Sequence, residues 1–342
     1  MKKKPKKLVL RIVLLVGTIT SLFFVPWLLV WAWILPLPDS VQDQANEAIE
    51  HGFDGIIVYV DEGGKPPAFY AAGFHNKENR IPANPKALFK IASISKLYTA
   101  VSVTKLVNDG RLDLDETLAD YLPELDGRIE NASTITLRMM VKHRSGIPNF
   151  TDAPNFWAAP TQTYEESLAL ILDKPANFEP DEDYEYCNTN YLLLNKIMEN
   201  ILGYETFQFI QKEVLTPLNL NNTFASLDEV NIDSVMSGYH VGHPFDLKED
   251  EHGMLATAED VGIFLRALNN GTLFEEGEQE IYSSIYQYDH KGWVPGYQSI
   301  AEYDEDIDAV VIQFTSTTDP KLYNWNLADI VYGRIIKILG KN

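Results

Sequence analysis

Strand-like patterns occur only early and late in the body of this 342-residue chain, and everything between them reads as helix. Gly55–Asp61 contains the apolar run IIVYV, and Pro67–Gly73 follows it. Between them Glu62-Gly63-Gly64-Lys65 reads as a hairpin turn. At the far end Glu280–Tyr288, Gly296–Asp304 and Ile307–Thr315 read as strands, and a last helix runs from about Asn326 to Leu339. Helical patterns fill the middle: Phe89–Gly110 after a turn at Ser93, then Leu112–Leu125, Leu137–Lys142, Tyr164–Leu172, Asn190–Leu202, Tyr204–Val214 and Ala258–Asn269. An irregular acidic region extends to about Glu251. Strands that close on one another from both ends of a chain make one sheet. The spacing therefore predicts an α+β fold over residues 41–340, with one antiparallel sheet built from both ends. Terminal helices, Val41–His51 (capped by Asp39 or Ser40) and 326–339, would pack on it, and a large all-helical lobe would be inserted at about 97–275. A cleft between sheet and lobe is the natural place for a site.

The body is preceded by a segment of different character. Residues 1–11 carry six positive charges (Lys2, Lys3, Lys4, Lys6, Lys7, Arg11) and no acid, and Ile12–Pro38 has no charged residue at all. Ile12–Leu35 would span about 36 Å as a helix, against about 30 Å of hydrocarbon. Trp27, Trp31 and Trp33 lie at its distal end, where an aromatic belt belongs, and Pro26 would kink it. The expectation is a single-pass anchor over residues 12–35 with residues 1–11 as a cytoplasmic tail, a short linker at 36–40 and the body extracytoplasmic at the cell membrane. A cleaved signal peptide is the alternative. The apolar run exceeds its usual length, and no small-x-small cleavage pattern precedes Asp39.

The formal net charge is −21, and outside residues 1–11 there are 22 basic residues against 49 acidic. Nucleic-acid binding needs basic surface to displace phosphate counterions, so it is excluded as a partner class. Cys187 is the single cysteine, which forbids an intrachain disulfide. His240-x-x-His243 with Asp246 is the only metal-like grouping. It lies in the irregular stretch without a paired motif and reads as a loop, so no metal and no organic cofactor are expected. Oligomeric state is not encoded in any pattern.

Three short motifs carry chemistry. Ser93 and Lys96 are three residues apart at the start of a helix, which places them on one face with Cβ atoms roughly 5–6 Å apart. The orphan N–H groups there can stabilise an alkoxide or an oxyanion. Taken by itself, the pair reads equally well as a nucleophile with its activator or as a helix cap. A second match, Ser102 with Lys105, lies mid-helix, away from orphan donors, and is expected to be a surface coincidence. Tyr186-Cys187-Asn188 precedes another helix. A tyrosine beside a desolvated lysine could be partly phenolate and take a serine proton, and Asn188 could hold the lysine or a substrate carbonyl. Cys187, between two motif side chains, should point inward as packing. His290-Lys291-Gly292, leading into Trp293, could be an edge strand beside Ser93, with an amide after Gly292 as a second oxyanion donor and His290 binding a substrate carboxylate or polarising the site.

In order and spacing, Ser93-Ile94-Ser95-Lys96, Tyr186-Cys187-Asn188 and His290-Lys291-Gly292 resemble the three motifs of the serine β-lactamase and penicillin-binding protein superfamily, in its class C β-lactamase-like branch. LFKIASISK, VKHRSGIP, FEPDEDYEYCNTNYLLL and GMLATAEDVGIFLRAL are similar to further signatures of that branch, and the likeness covers about residues 40–340. The resemblance implies a serine hydrolase working through an acyl-enzyme on D-alanyl peptides, β-lactams or small esters. It implies Ser93 as nucleophile, with Lys96 and Tyr186 sharing acid and base work. It further implies that Asn188 orients, that His290 and Gly292 shape the substrate edge, and that the amides of Ser93 and Trp293 form the oxyanion hole. The sequence departs from the pattern at Cys187, at Asp181 where a glycine is usual, at Trp293 where a small residue is usual, and in a short 271–290 segment. The rival from another class is an inactive relative that keeps the fold and binds a cell-wall peptide or a partner protein. On the resemblance the His143-Arg144-Ser145-Gly146 turn is structural.

Overall fold

The computed structural model describes residues 4–158, 160, 163–250 and 253–341. Lys2 and Lys3 of the basic run and Glu251 of the acidic region lie outside them. The body is built on a six-stranded antiparallel sheet. Its N-terminal half supplies β1 (Gly55–Glu62), β2 (Ala68–Asn76) and β3 (Ile81–Pro82), and its C-terminal half β4 (His290–Val294), β5 (Tyr297–Asp304) and β6 (Ala309–Thr315). The order is β3-β2-β1-β6-β5-β4, so the two ends of the chain join at the β1–β6 pair, where Val58 faces Gln313 and Tyr59 faces Ile312. The predicted sheet is therefore present.

Successive side chains on a strand point to opposite faces, and the sheet uses both. Ile56, Val58, Val60, Ile300, Ala309 and Val311 face a layer of two helices, α1 of the body's start (Val41–Glu50) and its last helix (Tyr323–Leu339). Ser40 caps the first of these by accepting from the Asp43 amide at 3.1 Å. Ile57, Tyr59, Val310, Ile312 and Phe314 face the inserted lobe, whose core helix α2 (Ser95–Asn108) is buried over most of its length. The lobe also contains α3 (Asn188–Leu202), which ends at Gly203 in the left-handed region with φ 78°, and α4 (Ala258–Asn269).

Several expectations need correction. The lobe is not all-helical: Phe89–Lys90, Leu255–Ala256 and Thr223–Phe224 form a small antiparallel sheet, and Tyr239–His240 pairs in parallel with Thr317–Thr318. Glu280–Tyr288 is not a strand. Glu278–Ile285 is a helix, because Glu278, Tyr282 and Ile285 recur at helical spacing and are buried together. Leu112–Leu125 holds only one turn of α-helix, Leu118–Tyr121, before Pro123 ends it and a 3-10 turn follows.

The N-terminal segment is not one continuous helix. Lys4–Leu22 and Trp27–Ile34 are two helices bent by 77°. Pro26 stands at the break, where it has no N–H to give, and the Trp27 indole donates to the Leu22 carbonyl at 2.9 Å. Among the described residues no single helix is long and apolar enough to cross a membrane; the bent pair passes by length and composition.

Candidate active site

Ser93 sits in a 3-10 turn, Ala92–Ile94, between the short strand Phe89–Lys90 and the start of α2 at Ser95. The turn is tight, with Ala92 at φ 48°, a conformation most side chains avoid. One helical turn on, Lys96 points back at it: Lys96 Nζ lies 3.2 Å from Ser93 Oγ and donates to Asn188 Oδ1 at 2.8 Å. From the far side the Tyr186 hydroxyl donates to Ser93 Oγ at 2.7 Å. Residues spread over about a hundred positions thus converge on one hydroxyl.

Lys96 is 7 % exposed, and among the described residues no carboxylate forms an ion pair with it. Its ammonium lies over the rings of Tyr186 and Tyr191, at 5.0 and 5.4 Å from their centroids. Loss of water drives its pKa down from 10.5 to about 7. Burial pushes Tyr186 the other way, up to about 12, although its bond to Ser93 opposes this. The phenolate expected from the sequence is therefore corrected: the resting tyrosine is a neutral donor, and the lysine is the group poised to be a base near neutral pH.

The Tyr186-Cys187-Asn188 segment is held by His143 of the predicted structural turn and by Asn149 and Thr151 just after it. His143 Nδ1 accepts the Cys187 amide at 3.1 Å, and Asn149 Oδ1 accepts the Asn188 amide at 3.0 Å. Asn188 Nδ2 donates to Thr151 Oγ1 at 3.1 Å, and the His143 ring packs on Tyr186 at 4.6 Å. Desolvation, with Lys96 and His290 adding to it, lowers the His143 pKa to about 3, so it acts as a neutral prop. Cys187 is buried, as expected, with its Sγ donating to the Ile147 carbonyl at 3.3 Å. Asp181 tolerates its glycine-like position: it adopts φ 66° and is clasped by Arg144 through its carboxylate and carbonyl.

On the opposite wall Gly292 is where β4 touches the Ser93 turn. A Cβ there would lie 2.5 Å from the Ile91 carbonyl oxygen and 2.4 Å from Ser299 Oγ, so only glycine permits the approach. Trp293 does not block the cleft. Its ring packs edge-on against Trp157 at 5.2 Å and also contacts His240 at 6.2 Å, forming an aromatic wall. His290 lines the cleft, but its ring is committed. Nδ1 faces the Lys291 carbonyl at 2.7 Å and must donate, so Nε2 accepts from the Tyr286 hydroxyl at 2.9 Å. Burial, and secondarily Lys96, lowers its pKa to about 4. A neutral imidazole with both nitrogens engaged is a poor carboxylate receptor. Tyr286, Trp157, His143 and Asn149 are the site residues that sequence reasoning missed. Only the polar, proline-containing turn at 143–148 carried a signal for any of them, and it covers His143 alone.

The second Ser-x-x-Lys is not on the surface. Ser102 is fully buried and bonds the Tyr98 carbonyl at 2.9 Å, while Lys105 pairs with buried Glu278 at 2.8 Å. The His240 grouping holds no metal-like cluster among the described residues: His240 Nδ1 meets Thr318 Oγ1 at 2.7 Å, and Asp246 accepts backbone amides of Gly238 and Lys248.

The cleft has a volume of ≈ 1340 Å³ and contains all three motifs. Among solved structures, D-amino acid amidase from Ochrobactrum anthropi SV3 complexed with D-phenylalanine is similar with a TM-score of 0.79, 22 % identity, and coverage of 88 % of this chain and 98 % of that one. A penicillin binding protein from Bacillus halodurans gives a TM-score of 0.74 at 20 % identity over 87 % and 99 %. These likenesses concern the fold. Protein flp of Staphylococcus aureus is 24 % identical over 272 residues, which are 75 % of this chain and 53 % of that protein. Penicillin-binding protein 4* of Bacillus subtilis is 21 % identical over 295 residues, 84 % of this chain and 60 % of that one. The chain therefore spans between half and two thirds of the length of these curated relatives. The family model described as Beta-lactamase matches residues 39–284, most of the chain, and the protein belongs to that family.

Proposed function

We propose that the protein is a membrane-anchored, extracytoplasmic serine hydrolase that cleaves amide or ester bonds through an acyl-enzyme on Ser93. One observation carries this reading: Ser93 Oγ is contacted at once by a neutral tyrosine and by a desolvated lysine that has no counter-ion among the described residues. When Lys96 is neutral, the 3.2 Å contact runs from the serine hydroxyl to the amine lone pair, while Tyr186 still donates to the oxygen. Ser93 Oγ attacks the carbonyl carbon and its proton passes to Lys96. The oxyanion rests on the amides of Ser93 and Trp293, on the two elements that Gly292 lets meet. Tyr186 then gives its proton to the leaving nitrogen or oxygen as that bond breaks, and recovers one from Lys96. Water repeats the sequence in reverse roles and releases the acid.

The cleft also bears on substrate. Lys291 is tied to Asp329 at 3.0 Å and Glu302 at 3.5 Å, and Lys142 bonds the Ser284 carbonyl at 3.2 Å. Asp152, Asp289 and Glu302 also line the cleft, beside the wall of Trp157 and Trp293. That lining favours an apolar or aromatic acyl group on a neutral or amine-bearing amide or ester over a peptide ending in a free carboxylate. D-amino-acid amides and small esters fit better than carboxylated D-alanyl peptides or penicillins. The segment at 12–35 provides the membrane attachment, with the basic residues before it on the cytoplasmic side.

The test is covalent labelling of the full chain with a fluorophosphonate and, separately, a labelled penicillin, followed by intact-mass and peptide analysis. The expected result is a fluorophosphonate adduct on Ser93, with faster turnover of an aromatic amino-acid amide or ester than of an acyl-D-alanyl-D-alanine. An absence of adduct from both probes together with no ester turnover would overturn the hydrolase reading.

A further inference from the structure

The helix Trp27–Ile34 has two apolar faces, and only one is covered. Leu28, Leu29 and Ala32 belong to the same hydrophobic cluster as Leu327, Val331 and Ile335 of the last helix. On the other face Trp27, Trp31 and Ile34, at positions i, i+4 and i+7, are 45, 52 and 53 % exposed, and Trp33 beside them is 69 % exposed. An uncovered stripe with three tryptophans is a large exposed apolar patch, which a water-facing surface does not ordinarily keep.

This helix is also locked to the body. Arg334 is 4 % exposed, and its guanidinium donates to the carbonyls of Leu35 at 2.7 Å and Pro36 at 2.9 Å, where the helix exits. The same guanidinium reaches Gln44 Oε1 at 2.6 Å and Glu47 at 3.1 Å, tying that exit to the first helix of the body. To become coaxial with Lys4–Leu22 inside a bilayer, the segment would have to leave its packed face and abandon these buried bonds. The 77° bend at Pro26 removes that need.

Resting on the membrane-attachment reading above, we infer that Trp27–Ile34 is not part of a membrane span. It lies flat in the headgroup–acyl boundary as a rigid foot of the catalytic body, and only the residues before Pro26 enter the hydrocarbon. Tryptophan is the side chain that favours this boundary, because its ring is apolar and its indole N–H is polar. Lys337 lines a pocket of ≈ 420 Å³ beside Trp33, together with Asp329, which is paired with Lys291. Before Trp27–Ile34, Ile12–Leu22 of the first helix carries no charge and extends about 16 Å, with Lys4, Lys6, Lys7 and Arg11 on its N-terminal side. The consequence is functional: the body does not swing on a tether, so the Ser93 cleft keeps one orientation and height above the lipid.

The test is a depth measurement on the full chain in phosphatidylcholine–phosphatidylglycerol vesicles. Nitroxides are placed singly by Trp27→Cys, Trp31→Cys, Ile34→Cys and, in the first helix, Val16→Cys. The unsubstituted chain controls for buried Cys187. Relative accessibility to oxygen and to a nickel chelate gives the depth. The expected result is one common shallow depth for positions 27, 31 and 34, about 5–10 Å below the phosphates, with position 16 deeper. A gradient of about 10 Å between positions 34 and 27 would show a continuous span and overturn the inference. Positions 27, 31 and 34 all in water with position 16 deep would also overturn it, leaving the anchor in place. All four in water would remove the membrane-attachment reading itself.

Discussion

Two Ser-x-x-Lys pairs share one helical run, and both lysines are 7 % exposed. Lys105 has a carboxylate, Glu278, at 2.8 Å, and its serine, Ser102, bonds a backbone carbonyl one turn back. Lys96 has Asn188, Ser93 and two aromatic faces, none of which carries a compensating charge. Equal burial with a counter-ion gives a structural ion pair; equal burial without one gives an amine whose proton is loosely held, with a pKa of about 7. The contrast shows that spacing places the two groups, and the charge around them decides what they do.

The sharpest way to break this comparison is to remove each serine. Ser93→Ala should abolish covalent labelling and lower kcat/KM for an ester by at least about 10³-fold, measured on protein with unchanged circular dichroism. Ser102→Ala should retain labelling at the wild-type rate. Loss of labelling in both, or in the second alone, would reverse the assignment.

The lysines can be separated by pH. Below the Lys96 pKa of about 7, the neutral base falls by about tenfold per pH unit, so the labelling rate should fall at the same slope and level off above it. A phenolate base would instead give a rate still climbing toward pH 12, because burial raises Tyr186 to about that value. Lys96→Arg, which keeps a permanent charge, should be inactive across the range.

Glu278→Gln should act on the other pair. It leaves Lys105 buried without its counter-ion, at a cost of about 3 kcal/mol in urea unfolding, while the labelling rate of folded protein stays unchanged. The smallest effect belongs to the stability of Ser102→Ala. One buried hydroxyl-to-carbonyl bond is lost, worth about 1 kcal/mol, and a loss of more than about 3 would mean that the pair does more than pack.

The legible parts of the fold were those set by local pattern. Short continuous apolar runs such as Ile56–Val60 and Val310–Phe314 announced strands, and their placement at both ends announced one sheet. Glu280–Tyr288 reads as a strand because Ile and Tyr favour strands, while Lys105, the partner that buries Glu278 of the helix Glu278–Ile285, lies far away in sequence. The serine, lysine, tyrosine and glycine of the cleft were legible because each stands in a short motif at an element boundary. The His143 and Asn149 supports were not, since a side chain that accepts an amide across a cleft leaves no periodicity. Likewise the bend at Pro26 could be suspected, but not whether the helix after it would lie against the body.

By itself, the sequence determined the α+β class, the apolar N-terminal segment, and the residue types that meet at Ser93. These depend on local periodicity, on turn chemistry and on which side chains can carry a proton. The tertiary structure alone decided that Lys96 has no counter-ion among the described residues while Lys105 has one, that Tyr186 rests neutral, that His290 is spent on Tyr286, and that the exit of Trp27–Ile34 at Leu35 and Pro36 is clamped by Arg334. Desolvation and pairing are properties of the space around a group, and that space is assembled from residues with no fixed separation along the chain.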